Sequence, residues 1–143
     1  MKIQDVIKGK SSGEVVTIAP GASVRDLVAL LAEHNIGAVV VSGDGTTVEG
    51  IVSERDVVRR LRDRDDVLEA QVGEIMTAQV HTCEPQHDLD ELMSLMTERR
   101  IRHVPVVSDG GLVGVVSIGD VVKSRITQLT FERDQLDSYV HQT

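Results

Sequence analysis

Short apolar runs alternate along the chain with segments in which apolar side chains recur every three or four residues. The runs AVVV (38–41) and VPVV (104–107) are almost wholly apolar, which is typical of short strands buried on both faces. Each run is preceded by a segment with apolar residues at helical spacing, which indicates an amphipathic helix. The positions are Leu27, Leu30 and Leu31 in the first segment, and Leu92, Leu95 and Met96 in the second. The pattern predicts short buried strands interleaved with helices.

The same pattern occurs twice along the chain. TIAPGASVRDLVALLAEHNIGAVVV (17–41) matches TCEPQHDLDELMSLMTERRIRHVPV (82–106), and GIVSERDVV (50–58) matches GVVSIGDVV (114–122). The offset between the copies changes by one residue inside a loop, which is where repeats commonly differ. A duplication of about 65 residues therefore organises the chain.

Each copy predicts the order β-α-β-β-α. The turns SGDG and SDGG, which connect the two apolar strands of each copy, are hairpin signals because glycine tolerates a positive φ. Neither copy can bury its own strands, so we expect an α/β (α+β) fold in which the two repeats pack through their sheets about a pseudo-twofold axis. The predicted divisions are 1–65, which includes a lead-in segment, 66–125, and a helical tail at 126–143.

The tail carries apolar residues close to a heptad spacing. They are Val122, Ile126, Leu129, Leu136 and Val140, interrupted by Arg133. Two interpretations stay open at this stage: a helix that covers its own domain, or a contact with a second copy of the chain.

Composition excludes several classes of protein. The 143 residues carry a formal net charge of −8, which disfavours general affinity for nucleic acid or anionic membranes. One Phe, one Tyr and no Trp leave little for stacking on nucleobases. The single cysteine, the lack of a long apolar segment and a polar N-terminus without a signal-peptide core predict a cytoplasmic protein. Arginines nevertheless cluster locally, which would allow a small anion to bind.

A Ser-x-x-Asp motif opens the second helix of each copy, as Ser53 with Asp56 and Ser117 with Asp120. A capping box explains this spacing by itself. A helix N-terminus that follows a strand also suits a phosphate, and a carboxylate there can accept hydrogen bonds from a ribose diol. Arg55, inside the first motif, could add a charge-assisted bond to phosphate.

With both copies aligned, the chain resembles a tandem pair of cystathionine-β-synthase (CBS) domains over about residues 1–125. The resemblance rests on TIAP…GAVVV…GIVSERDVV and TCEP…RHVPVV…GVVSIGDVV. It implies two symmetry-related clefts that bind adenosine compounds, among them AMP, ADP, ATP, NAD(H) and S-adenosylmethionine. It also implies a homodimer and a role in sensing metabolites.

By position, the resemblance implies a first cleft, around Asp56, and a second cleft, around Asp120. In the first cleft Asp56 would hold ribose, with Ser53 and Arg55 near phosphate. Its base would lie among Thr82, Cys83, His103, Val104 and Pro105, with Arg102 at the edge. In the second cleft Asp120 would hold ribose and Ser117 would lie near phosphate. Its base would lie among Thr17, Ile18, Ala19, Gly37, Ala38 and Val39.

The copies differ in charge. Gly119 of the second motif stands where the first motif has Arg55, and a Gly-Ala pair (37–38) stands where the second copy has Arg102 and His103. Both differences place positive charge on the side of the first cleft. We therefore expect the first cleft to bind nucleotide more tightly than the second.

The five histidines show no spacing that is typical of a metal site, so no metal is expected. The leading hypothesis is a non-enzymatic sensor that binds adenine nucleotide and signals through an effector protein or its own dimer. A ligand-free interaction module is the first alternative. A nucleotide-processing enzyme is the second, although no catalytic constellation accompanies the motifs.

Overall fold

The computed structural model describes residues 1–10 and 15–141, which form α-helices, a short 3-10 helix and two small sheets. The helices are α1 (Ile3–Lys8), α2 (Val24–His34), α3 (Glu54–Asp63), α4 (Val72–Ile75), α5 (Leu89–Arg99) and α6 (Ile118–His141). The strands are β1 (Thr17–Ile18), β2 (Ala38–Val41), β3 (Gly50–Ser53), β4 (His103–Ser108) and β5 (Gly111–Ser117). The 3-10 helix is Val67–Glu69.

The two sheets repeat one arrangement. In the first, β1 lies parallel to β2, and β2 lies antiparallel to β3. In the second, β4 and β5 form the antiparallel hairpin, and the partner of β1 is reduced to a single parallel bridge between Cys83 and Val106. That bridge reproduces the pairing of Ile18 with Val41 in the first sheet. The predicted α+β fold with two related repeats is confirmed.

Local chemistry starts the paired helices in different ways. Ser23 caps α2, and its Oγ accepts a hydrogen bond from the backbone N–H of Asp26 at 3.1 Å. Asp88 occupies the corresponding position before α5, but its carboxylate accepts a bond from Lys2 Nζ at 2.7 Å instead. The two helices therefore begin at equivalent positions, but only the serine caps its helix with a side-chain hydrogen bond.

Two separate apolar cores hold the molecule together, and each takes in a lead-in helix from elsewhere in the chain. The first core buries side chains of the first repeat together with Val72 and Ile75 of α4. The second core buries side chains of the second repeat together with Ile3 and Val6 of α1. The helix that precedes each repeat thus packs on the other repeat.

Backbone hydrogen bonds fix this crossing at the N-terminal end of each lead-in helix. Ile3 donates its N–H to the carbonyl of His87 at 3.0 Å, and Leu89 donates to that of Met1 at 3.0 Å. The equivalent pairs in the first half are Val72 to the carbonyl of Ala22, at 2.8 Å, and Val24 to that of Ala70, at 2.9 Å. The predicted domain boundary near residue 65 therefore stays a prediction. Each lead-in helix packs on the repeat that it does not precede, so the order of segments along the chain does not define the packed units.

The tail is the continuation of a longer helix. α6 starts at Ile118, where Val121 is buried against the second core, and continues without a break to His141. Every residue from Leu129 to His141 is exposed. The interpretation in which the tail covers its own domain is therefore wrong for this segment, because the helix has left the domain surface.

We predict that Gly50→Ala destabilises the fold by about 1–3 kcal/mol, because overpacking forces neighbours apart. A Cβ at this position would lie 2.6 Å from Met76 Sδ and 2.8 Å from the Thr77 carbonyl oxygen, where α4 meets β3. Gly21→Ala is the matched control, since a Cβ there meets nothing within 4 Å. Urea denaturation measures both changes, and equal effects at the two positions would contradict the close packing of the lead-in segment.

Candidate functional site

Both Ser-x-x-Asp motifs form capping boxes. The Ser53 N–H donates to Asp56 Oδ2 at 2.8 Å, and the Asp56 N–H donates to Ser53 Oγ at 3.3 Å. The corresponding distances for Ser117 and Asp120 are 2.9 and 3.1 Å. The capping explanation is therefore correct in both copies, and any ligand must bind beside an existing cap.

A cavity of about 290 Å³ lies beside the first cap. Its walls come from β2, β3, α3, the segment after α4, and the end of α5 with the start of β4. The lining residues are Ala38, Ile51, Ser53, Glu54, Arg55, Asp56, Arg59, Thr77, Arg100, Ile101, Arg102 and His103. Both cap hydrogen bonds to the Asp56 carboxylate use Oδ2, and within the described residues no hydrogen bond reaches Oδ1. One carboxylate oxygen thus remains for a ligand.

The cavity is locally cationic in an acidic protein. It is lined by the four arginines Arg55, Arg59, Arg100 and Arg102 and by the two carboxylates Glu54 and Asp56. Arg55 and Arg102 were predicted as site residues, whereas Arg59 and Arg100 were not. Arg59 could have been found from its spacing, because it follows Arg55 by four residues and shares its helix face.

Arg100 occupies an unusual backbone conformation. It ends α5 in the left-handed region, with φ 54°, and Asn35 ends α2 in the same way with φ 52°. Asparagine is a common residue at such a position, whereas a larger side chain there carries steric strain. The strained arginine lines the cavity, and the unstrained asparagine is its counterpart in the other repeat. Strain of this kind is concentrated at functional sites.

His103 lies between the two clefts. Burial lowers the pKa of its imidazole below the ordinary value, and this effect outweighs the opposing influence of the Asp120 carboxylate. Lys10 and Arg102 act in the same direction as burial. His103 is therefore neutral at pH 7, so it can offer both a hydrogen-bond donor and an acceptor to a ligand.

Lys10 occupies the second cleft. Its Nζ lies 2.9 Å from Asp120 Oδ2 and donates a hydrogen bond to the Val115 carbonyl oxygen at 2.7 Å. Lys10 also lines two cavities, of about 370 Å³ beside Asp120 and about 220 Å³ between Ile36 and Val115. The space equivalent to the first cleft is thus divided by a side chain that already pairs with the carboxylate.

The pKa of Asp120 reflects this pairing. Burial raises the pKa, but the hydrogen bond from the Ser117 N–H and the Lys10 ammonium together outweigh burial, so the net pKa is lowered. Because the folded-state pKa lies below that of the unfolded chain, the ionised carboxylate stabilises the fold at neutral pH. This stabilisation is lost as the pH falls from about 4 through the folded-state pKa.

The residues predicted to hold the base of the first cleft fall into two groups. His103 lines the cavity, whereas Thr82, Cys83, Val104 and Pro105 do not. Cys83 and Val104 are buried in the second core, and the Cys83 N–H donates to the Pro105 carbonyl at 3.1 Å. Burial raises the pKa of the Cys83 thiol to about 11, which is typical of an unreactive structural thiol.

The residues predicted to hold the base of the second cleft are similarly dispersed. Ile18 and Val39 belong to the first core. Ala38 lines the first-cleft cavity and also the smaller of the two cavities beside Lys10. Thr17, Ala19 and Gly37 line none of these three cavities. The structure brings Ser53, Arg55, Asp56, Arg102 and His103 together in one site, and the residues that it describes form no equivalent set around Asp120.

Residues 1–10 and 15–141 bring together no group of three or more side chains that could hold a metal ion. None of the helices in this part of the chain combines the length and hydropathy that a bilayer crossing needs.

We predict that Lys10→Met raises the pKa of Asp120, because the substitution removes an ammonium 2.9 Å from the carboxylate. The pKa is measured by NMR titration of the side-chain carboxyl carbon. Lys8→Met is the matched control, since Lys8 lies exposed at the end of α1 and makes no ion pair among the described residues. An unchanged Asp120 pKa in Lys10→Met would show that the pair does not form in solution.

Comparison with known proteins connects this geometry to a family. The CBS domain family matches the chain twice, at residues 4–63 and 72–126. The mitochondrial CBS domain-containing protein CBSX3 of Arabidopsis thaliana is 36% identical over 146 residues, which cover 96% of this chain and 71% of that protein.

Solved structures give the same result. A putative signal-transduction protein with CBS domains from Burkholderia ambifaria is 43% identical, with a TM-score of 0.82 over 89% of this chain and 95% of that one. The CBS domain pair of protein MJ0100, solved with 5′-methylthioadenosine and S-adenosyl-L-methionine, shares the fold at 24% identity. Its TM-score is 0.76 over 86% of this chain and 98% of that one. With two matched repeats that cover most of its length, the chain belongs to the CBS domain family as a tandem pair.

Proposed function

We propose that the chain is a non-enzymatic regulatory module that binds an adenine nucleotide in the first cleft. The observation that carries the proposal is the 290 Å³ cavity, in which four arginines surround a carboxylate with an unused oxygen. This combination matches the two polar parts of a nucleotide, because guanidinium groups bind phosphate and a carboxylate accepts bonds from ribose hydroxyls.

The cavity offers a distinct contact for each part of the ligand. Asp56 Oδ1 accepts hydrogen bonds from the ribose hydroxyls, while Oδ2 keeps the cap of α3. Arg55 and Arg59, one turn apart on α3, bind phosphate oxygens, with Ser53 beside them. The apolar part of the lining, with Ala38 and Ile51, covers the base, and neutral His103 provides a polar contact.

The second cleft binds nucleotide more weakly than the first. Lys10 already neutralises Asp120 and fills part of the space, so a ligand must displace a salt bridge before it can bind. Gly119 provides no side chain where the first motif has Arg55. One nucleotide per chain is therefore the expected occupancy.

Charge also selects among adenosine ligands. Four arginines favour a ligand with several phosphate charges, such as ADP, ATP or NAD(H), over S-adenosylmethionine, whose sulfonium is positive. The MJ0100 pair was solved with 5′-methylthioadenosine and S-adenosyl-L-methionine, so the adenosine part is the element common to both proteins in this proposal. A thermal-shift panel of AMP, ADP, ATP, NAD, NADH and S-adenosylmethionine identifies the ligand. Saturation at 100 times the dissociation constant adds about 2.7 kcal/mol of stability.

The bound nucleotide acts by favouring one arrangement of the two repeats over another. The signal passes to an effector protein or through a homodimer, in the cytoplasm. A ligand-free interaction module is the second candidate, because both aspartates already have hydrogen-bond partners in their own caps. If no adenine compound in the panel raises the melting temperature, this second candidate replaces the sensor.

We predict that Asp56→Ala weakens binding of the nucleotide selected by the panel at least tenfold, whereas Asp120→Ala changes it less than threefold. Isothermal titration calorimetry measures both affinities. Each substitution removes one capping-box carboxylate from one helix, and Asp120→Ala also removes the ion-pair partner of Lys10, so thermal melting first establishes that both variants are folded. A larger loss in Asp120→Ala, or equal losses, would contradict the assignment of the nucleotide to the first cleft.

We predict that Arg100→Asn strengthens the fold and weakens nucleotide binding in the same protein. Asparagine relieves the left-handed strain, which adds about 0.5–1 kcal/mol to the free energy of unfolding, while the cavity loses one positive charge. Arg99→Asn is the control, because Arg99 is exposed at the end of α5 and does not line the cavity. Denaturation measures the free energy of unfolding, and calorimetry measures the affinity for nucleotide. An affinity of Arg100→Asn equal to that of the wild type would contradict the role of Arg100.

A further inference from the structure

A second cavity, which we call the outer chamber, adjoins the first-cleft cavity along α3. It has a volume of about 420 Å³, and it shares the lining residues Asp56, Arg59 and Thr77 with the first-cleft cavity. A ligand held at Asp56 therefore has room to continue past Arg59 into the outer chamber. The other residues that line the chamber are Arg60, Arg62, Asp63, Ile75 and Met76.

One wall of the outer chamber belongs to the folded core. Ile75 is buried in the first core, and Met76 packs so closely on β3 that a Cβ on Gly50 would lie 2.6 Å from its Sδ. The Thr77 N–H donates to the Ile51 carbonyl at 2.8 Å, and the Ile51 N–H donates to the Thr77 carbonyl at 3.0 Å. These contacts fix the segment after α4, so this wall is in place before any ligand binds.

A stripe of arginines on α3 connects the two cavities. Arg55, Arg59 and Arg62 follow one another at spacings of four and three residues, which places them on one face of the helix. Arg55 lines only the first-cleft cavity, Arg62 lines only the outer chamber, and Arg59 lines both. Seven residues of α-helix span about 10.5 Å, so positive charge continues well beyond the ribose position at Asp56.

Positive charge without a carboxylate partner is concentrated around these two cavities. Five arginines of the chain form an ion pair with a carboxylate, among them Arg62 with Asp63. The other six have no carboxylate partner among residues 1–10 and 15–141, and all of them except Arg99 line one of the two cavities. A chain of phosphates would supply the missing negative charge along the whole surface. The five unpaired arginines of the cavities are Arg55, Arg59, Arg60, Arg100 and Arg102.

The second repeat forms a corresponding cavity with different charges. This cavity, of about 370 Å³, lies beside Asp120, where α1 takes the place of α4. Its lining includes Lys123 and Ser124, which align with Arg59 and Arg60 of the first repeat. The chamber is therefore a product of the duplicated fold, whereas its arginines belong to the first repeat alone.

We propose that the outer chamber binds the distal phosphates of the first-cleft nucleotide, and that Arg60 makes affinity depend on the number of phosphates. Arg59 binds the phosphate chain where it leaves the first cleft, and Arg60 binds the end of the chain. The preferred ligand is then a nucleoside triphosphate rather than a monophosphate, and the charged lining suits phosphate better than the second nucleoside of NAD(H). The inference rests on the proposed function, because it starts from a ribose held at Asp56.

Calorimetric titration of the full chain with AMP, ADP and ATP tests the role of Arg60. Wild-type affinity should rise in that order, and Arg60→Gln should weaken ATP binding at least fivefold while AMP binding changes less than twofold. Arg99→Gln is the matched control, because it removes an unpaired arginine from the last turn of α5, outside both cavities, and should change neither affinity. Arg60 lies in the last turn of α3, so thermal melting first establishes that its variant is folded. An unchanged ratio of ATP to AMP affinity in Arg60→Gln, or tighter wild-type binding of NAD than of ATP, would overturn the inference.

Inorganic triphosphate separates the outer chamber from the proposed function, because it has no base or ribose. It should bind the wild type more tightly than orthophosphate does, and Arg60→Gln should weaken its binding at least fivefold. Triphosphate that fails to bind the wild type, or that binds Arg60→Gln equally well, would overturn the outer chamber even if AMP occupies the first cleft. Triphosphate binding that depends on Arg60, in a protein that binds neither AMP nor ATP, would support the outer chamber and overturn the proposed function alone.

Discussion

The crossing of the two lead-in helices is the constraint on which the rest of the molecule depends. Ile3 and Val6 complete the core of the second repeat, and Val72 and Ile75 complete that of the first. Neither core is closed by its own repeat, so the two repeats cannot move apart without exposing apolar surface in both. The clefts lie where the repeats meet, which means that a ligand in either cleft contacts both. Binding there can therefore favour one arrangement of the repeats.

The two repeats share one backbone arrangement but differ in the charged side chains around their clefts. The caps at Asp56 and Asp120 have nearly the same geometry, and the hydrogen bonds of α1 reproduce those of α4. What differs is charge: arginines gather around Asp56, while Lys10 neutralises Asp120 within the chain. Duplication thus provides two equivalent positions, and substitution at a few side chains leaves one of them open to an anion.

The sequence predicted those features that have a local or repeated signature. The hairpins and the Ser53 cap depend on spacing within a few residues, the duplication repeats one pattern at an offset of about 65 residues, and all are present. The crossing of α1 and α4 was missed because backbone hydrogen bonds leave no side-chain pattern. Lys10 was missed because its partner Val115 lies 105 residues away along the chain. Arg100 was missed because its place in the cavity depends on how α5 ends, which spacing alone does not show.

The number of nucleotides bound per chain tests the central claim most directly. Equilibrium dialysis of the wild-type protein with the adenine nucleotide that stabilises it most gives this number at saturation. One nucleotide per chain is expected, since within residues 1–10 and 15–141 only the first cleft combines an open cavity with a carboxylate that is not paired with a lysine. Two equivalent nucleotides per chain would contradict the asymmetry between the clefts, and no bound nucleotide would contradict the assignment of the first cleft as a nucleotide site.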